Sequence, residues 1–101
     1  MTFTDIAALP AGHTFAKIDI LVQDDTGASF AKSITAAGGS VTFNQGDGGL
    51  TLDASAPTRT YQVSARLFTS LSPNGVMFNY SISYAEPPVC TENLIPRQFQ
   101  F

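Results

Sequence analysis

At 101 residues the chain holds one domain with a modest core and has no room for a second. A net charge of −3, with Lys17, Lys32, Arg59, Arg66 and Arg97 scattered along it, leaves no electrostatic footprint for nucleic acid or for an anionic membrane. Hydrophobic residues reach 44%, too many for a disordered chain, while charged residues stop at 13%, about half the usual share, so Ser, Thr, Asn and Gln must do the solvating.

The N-terminal stretch MTFTDIAALPAG has neither a basic leader nor an apolar run of signal length, so no secretory signal is expected. No apolar run approaches the length of a membrane span. MTFT alternates Phe3 with polar residues, as an edge strand would, and residues 1–12 read as an extended arm. Residues 14–23, TFAKIDILVQ, put Ala16, Ile18, Ile20 and Val22 on one face and Lys17, Asp19 and Gln23 on the other, which is strand periodicity. DDTG (24–27) is turn chemistry, and ASFAKSI (28–34) returns. A turn tip at Asp25–Thr26 sets Leu21 opposite Phe30 and Asp19 opposite Lys32.

TAAGG (35–39) reads as a crossing between sheets, as does ASAPT (54–58). Between them, pairing Asn44 with Gly49 sets Phe43 against Leu50 and Val41 against Leu52, with QGDG (45–48) as the hairpin loop. The longest hairpin joins residues 59–71 to 76–85 through SPNG (72–75), whose Pro and Asn-Gly favour reversal. That turn places Val63 against Tyr84, Ala65 against Ile82 and Leu67 against Tyr80, so turn chemistry and burial choose the same faces. EPPVCTENLIP (86–96) cannot be a central strand because of its prolines and is expected to run extended over the surface, followed by an edge-like RQFQF. Residues 86–101 thus form a second arm.

With period two throughout and no helical stretch, the chain is expected to be all-β, a small antiparallel β-sandwich of jelly-roll-like type. It is built from hairpins 14–34, 41–52 and 59–85 within a single domain, residues 1–101.

Few residues invite chemistry. QGDGGL lacks the lysine of a phosphate loop and leads into a strand pattern, not a helix. Calcium at the turn aspartates Asp24, Asp25, Asp47 and Asp53 stays open, although aspartates are common in turns without metal. His13 and Cys90 are the sole histidine and cysteine, far apart and without an orienting third group, so no nucleophilic pair is expected and no disulfide can form within the chain. Glu86 and Glu92 flank PPVCT in a loop and make poor paired glycosidase carboxylates. The sequon at Asn79 reads as a solvent-facing strand residue, and Tyr61, Tyr80 and Tyr84 read as core. No catalytic residue, cofactor site or metal ligand is assigned.

What stands out is apolar side chains on the solvent-side parity. Phe68 and Met77 interrupt the polar face of the long hairpin, and Phe15, Leu21, Phe30 and Ile34 that of the first. With the terminal Phe3, Phe99 and Phe101 and the turns at Asp24–Gly27 and Pro73–Gly75, they are the expected contacts. The expected function is a non-enzymatic structural or assembly protein acting by protein–protein contact, with itself or a larger capsid-type assembly. The setting that fits is a virion, as a capsid decoration or cement subunit, or otherwise the cytoplasm. A carbohydrate-binding module or small lectin is the alternative, and an acidic inhibitor or immunity protein a third.

Overall fold

The computed structural model describes residues 1–6, 8–52, 59–84, 91–95 and 99. Among these residues seven strands follow in order: β1 (Thr2–Asp5), β2 (Phe15–Gln23), β3 (Ser29–Ile34), β4 (Ser40–Thr42), β5 (Arg59–Thr69), β6 (Ser72–Tyr84) and β7 (Thr91–Leu94). A short 3-10 turn, Asp47–Gly49, sits between β4 and β5. Among the described residues the strands form a three-stranded sheet, β4-β1-β7, and an antiparallel sheet in the order β3-β2-β5-β6. One core lies between them, fed by Phe3, Phe43 and Leu94 from the small sheet's side and by Ile18, Ile20, Val63 and Leu67 from the large sheet. The chain is therefore the small all-β sandwich that its alternation implies. Within β2, Ile18, Ile20 and Val22 are fully buried, as period two demands. Ala16 is exposed because the β2–β5 register shifts between Phe15 and Lys17.

The first hairpin pairs one residue out from the expected register: Leu21 faces Ala31, Asp19 faces Ser33, and Lys32 and Phe30 face Ile20 and Val22. The cause is Asp24. Its backbone N–H donates to Ala28 O at 2.9 Å, and its carboxylate accepts from Thr26 N and Ala28 N, closing a loop one residue longer than the expected tip. Gly27, at φ 93°, takes the left-handed position that such a loop requires. A one-residue slip exchanges the faces. Ile34 is consequently buried, and Phe30 turns to the core side, where its ring meets Phe43 edge-on at 6.4 Å. Both were expected on the outer face, and neither is there.

The long hairpin forms with its faces as expected but in a different register, with Val63 opposite Tyr80, Ala65 opposite Phe78 and Leu67 opposite Val76. Its tight turn is at Ser70–Leu71, and SPNG lies within β6 as a bulge between the Leu67–Val76 and Thr69–Ser72 pairs. The shift is by an even number of residues, so every side chain keeps its face. Gly75, at φ 78°, leaves the space that the Arg66 side chain crosses, and Arg66 Nη1 donates to Asn74 O at 2.7 Å.

Two further expectations change. The N-terminal segment is no arm or edge: β1 is the middle strand of its sheet, antiparallel to β4 and parallel to β7. Met1 is buried with it, its amino group donating to Phe43 O at 3.1 Å. Instead of running over the surface, Thr91–Leu94 forms the edge strand β7, with Leu94 in the core. The TAAGG crossing does link the two sheets, pinned where Asp5 N donates to Gly39 O and the buried Asp5 carboxylate accepts from Gly38 N. ASAPT (54–58), Glu86, Cys90 and Phe101 lie outside the described residues.

The chain reverses between Val41 and Leu52, but among the described residues no ladder joins the two arms. β4 gives its hydrogen bonds to β1 instead, and the reversal is a compact loop: Asp47 N to Asn44 O, Leu50 N to Asp47 O and Gly46 N to Leu50 O. Asp47 accepts from Asn44 N and pairs with Lys32 at 2.8 Å, contacts that hold its carboxyl below the usual carboxylate range. Gly48, at φ 56°, packs so closely on Phe30 that a Cβ there would stand 2.5 Å from the ring. Gly48→Ala is expected to cost about 1–3 kcal/mol through backbone conformation and the displaced ring. A thermal melt checks it, and an unshifted midpoint would mean the loop is not seated on Phe30.

Candidate interaction surface

The four-stranded sheet has one face in the core, so its other face presents the odd-numbered residues of β2 and the even-numbered residues of β5. Across the two central strands these form rungs: Lys17 with Phe68, Asp19 with Arg66, Leu21 with Ser64 and Gln23 with Gln62. β3 adds Ser29, Ala31 and Ser33 on one flank, and β6 adds Met77, Asn79 and Ser81 on the other.

Most polar groups on this face are mutually engaged. Ser64 Oγ donates to Asn79 Oδ1 at 2.6 Å, Ser81 Oγ to Gln62 Oε1 at 2.9 Å and Ser33 Oγ to Asp19 Oδ1 at 2.6 Å. Lys17 pairs with Asp19 at 3.3 Å and stands over the Phe68 ring at 5.0 Å. Arg66 Nη2 lies 3.5 Å from Met77 Sδ. Such exposed pairs order side chains more than they stabilise the fold.

Two large apolar side chains rise from this ordered lawn: Leu21, 44% exposed, and Met77, 48% exposed. Around the small Ser64 the surface sinks. One depression of about 250 Å³ is lined by Leu21, Gln23, Gln62, Val63, Ser64 and Asn79, and a second of about 170 Å³ reaches Asp19, Ala31, Arg66 and Met77. The face is a relief of knobs and shallow holes on a hydrogen-bonded support.

Of the expected contact residues, Leu21, Phe68 and Met77 meet on this surface, with Phe68 half-buried under Lys17. Phe15 is half-buried against the core. Phe30, at the rim, packs on the Gly48 loop and stays 36% exposed, away from this face. Phe3 and Phe99 are core residues, the first fully buried against Phe43 and the second stacked edge-on to Phe78 at 4.7 Å. Their rings are spent inside the molecule. Exposed Ile6 and Leu71 (63% exposed, at the β5–β6 turn) escaped the sequence reading, since neither breaks a strand alternation.

The residues weighed for chemistry serve the fold. His13 Nδ1 lies 2.7 Å from Thr69 Oγ1, beside the bonds Ser70 N to Thr14 O and Thr14 N to Ser70 Oγ, a clip that holds residues 12–14 to the hairpin tip. Asp24 and Asp47 accept from protein donors. Among the described residues no three His, Cys, Asp or Glu side chains converge in a way that could hold a metal ion, and Asp53 lies outside them. Among those residues, too, no helix is long and apolar enough to cross a membrane. No protein-family model, curated protein or solved structure matches the chain.

Proposed function

We propose that this protein is a non-enzymatic assembly component that works by protein–protein contact through the outer face of its four-stranded sheet. The observation that carries this reading is the pair Leu21 and Met77, each about half exposed on a sheet whose other face is already core. Covering the exposed half of each gives about 1 kcal/mol apiece at roughly 25 cal/mol per Å². Two such side chains cannot hold a partner alone, so the contact must use the whole face. A low charge content, 13%, keeps the desolvation cost of such a contact small. Dense particles suit a part of this kind, and a subunit that decorates or cements a virion's capsid is the setting we assign it.

A carbohydrate-binding reading rests on the amides of Gln23, Gln62 and Asn79 around the larger depression. Gln62 and Asn79 are already bonded to Ser81 and Ser64, so a sugar would have to break those bonds, and protein contact is the better use of the face. A photo-cross-linking residue at Gln23 or Asn79 separates the two readings in the cells or particles that contain the protein. The expected result is an adduct heavier by the mass of a protein, and none from the exposed turn residue Asp25. Absence of protein adducts from both face positions, with binding on a glycan array, would replace this function with the lectin one.

A further inference from the structure

We propose that the occupant of this face is a second copy of the chain, packed sheet to sheet about a two-fold axis that runs along the strands midway between β2 and β5. This rests on the reading of the face as a contact surface, and names its partner. Among the described residues the sheet order β3-β2-β5-β6 puts two strands on each side of that line. A half-turn about it lays β2 of one copy over β5 of the other, and β3 over β6. Antiparallel cross-strand partners lie at the same height, so each residue comes to face the residue it neighbours across its own sheet. A two-fold contact of this kind makes every pairing twice.

The four central rungs then match. Asp19 faces Arg66 of the second copy, and Arg66 faces its Asp19, two opposite-charge pairs from one rung. Leu21 descends on Ser64 of the second copy, the small side chain in the floor of the 250 Å³ depression. Lys17 meets Phe68 of the second copy in the cation–ring pairing it already makes within its own chain. Gln23 meets Gln62, amide to amide. On the flanks large again meets small, with Met77 over Ser33 and Asn79 over Ala31. No like charges are set directly opposite. Sheet twist opens the alignment toward the flanking strands, as in any aligned sheet packing, so the match is decided on β2 and β5.

Size agrees. A molecule 46 Å long and 20 Å across offers at most about 900 Å² on one face, against the roughly 800 Å² per partner of a standard interface.

A charge-swap pair tests the axis by sedimentation velocity. Wild type is expected to dimerise between micromolar and millimolar concentration. Asp19→Arg alone and Arg66→Asp alone each oppose like charges across the interface and are expected to raise the dissociation constant at least about tenfold, since opposed like charges cost kilocalories. Mixed in equal amounts they restore both pairs, and a one-to-one heterodimer of wild-type affinity is expected. Because Arg66 also holds Asn74, a folding failure of Arg66→Asp is guarded against by Ser64→Arg, which fills the depression and keeps Arg66 in place. It is expected to abolish the dimer with an unchanged melting midpoint. Wild type that stays monomeric, or a mixture no tighter than its single variants, overturns the self-pairing. If protein adducts still form at Gln23 or Asn79 in that case, the contact function stands with a different partner. If they do not, both readings fall.

Discussion

Phe3→Ala is expected to destabilise the fold by about 3–5 kcal/mol, the usual cost of deleting a fully buried phenylalanine. In a domain of this size that lowers the melting midpoint by roughly 12–40 °C. The expectation follows from the place of Phe3 and not from its nearness to the terminus. It is 0% exposed, on the middle strand of the small sheet, with its ring edge-on to Phe43 at 5.7 Å. Strands on both sides, β4 and β7, prevent the backbone from collapsing into the space left behind. Leu21→Ala is the control. Its side chain stands on the solvent face, so stability should change by no more than about 1 kcal/mol while association weakens. Urea unfolding of the two variants beside wild type checks the contrast. If Phe3→Ala unfolds at the wild-type denaturant concentration, the N-terminal strand is not the keystone of the small sheet.

Phe3 also shows where sequence reading reached its limit. Alternation is a local signal, and it correctly marked Phe3 as a strand residue between polar neighbours. Whether that strand is an edge or a centre depends on Val41 and Leu94 coming from far along the chain, about which local periodicity is silent. The large sheet was more legible because two of its neighbouring pairs, β2–β3 and β5–β6, are joined by hairpins. There the faces of β5 and β6 survived a wrong turn assignment, since the error was an even number of residues. The first hairpin was less forgiving. One extra residue in its turn moved Phe30 and Ile34 from the outer to the inner face, and it broke the expected Asp19–Lys32 pair. Lys32 instead donates to Thr42 O and pairs with Asp47, while Asp19 joins the Arg66 rung, which no reading of either hairpin alone could place. Of the proposed contact surface, Leu21, Phe68 and Met77 were visible as apolar residues on polar parity. The meeting of Asp19 with Arg66 across β2 and β5 was not.

The residue behind that extra length carries the second large effect. Asp24→Ala is expected to cost about 3 kcal/mol, because a buried charged acceptor shared by four donors contributes well above an ordinary hydrogen bond and its loss leaves those donors without it. Asp24 is 5% exposed. Its Oδ1 accepts from Thr26 N at 2.9 Å, Thr26 Oγ1 at 2.6 Å and Ala28 N at 3.0 Å, while Oδ2 accepts from Thr51 N at 2.9 Å. One carboxylate thus shapes the β2–β3 turn and ties it to the segment that follows the Gly48 loop. Asp24→Asn should divide these roles: an amide oxygen can keep the turn, but its NH₂ would face Thr51 N, donor against donor. A cost between those of wild type and Asp24→Ala is expected. Acid supplies the independent check. Burial pushes the Asp24 carboxyl upward, but the Thr26 hydroxyl and the N–H groups of Thr51, Thr26 and Ala28 outweigh it and hold the group below its ordinary value. A depressed folded pKa contributes stability that is fully present above the unfolded value of about 3.9 and is lost as pH falls through the folded one. Asp47 is lowered too and remains in every variant, so the difference between wild type and Asp24→Asn isolates Asp24. That difference should be constant near neutrality and shrink once the pH drops below about 4. A gap that persists undiminished into strong acid would mean the ionised carboxylate is not what holds the turn.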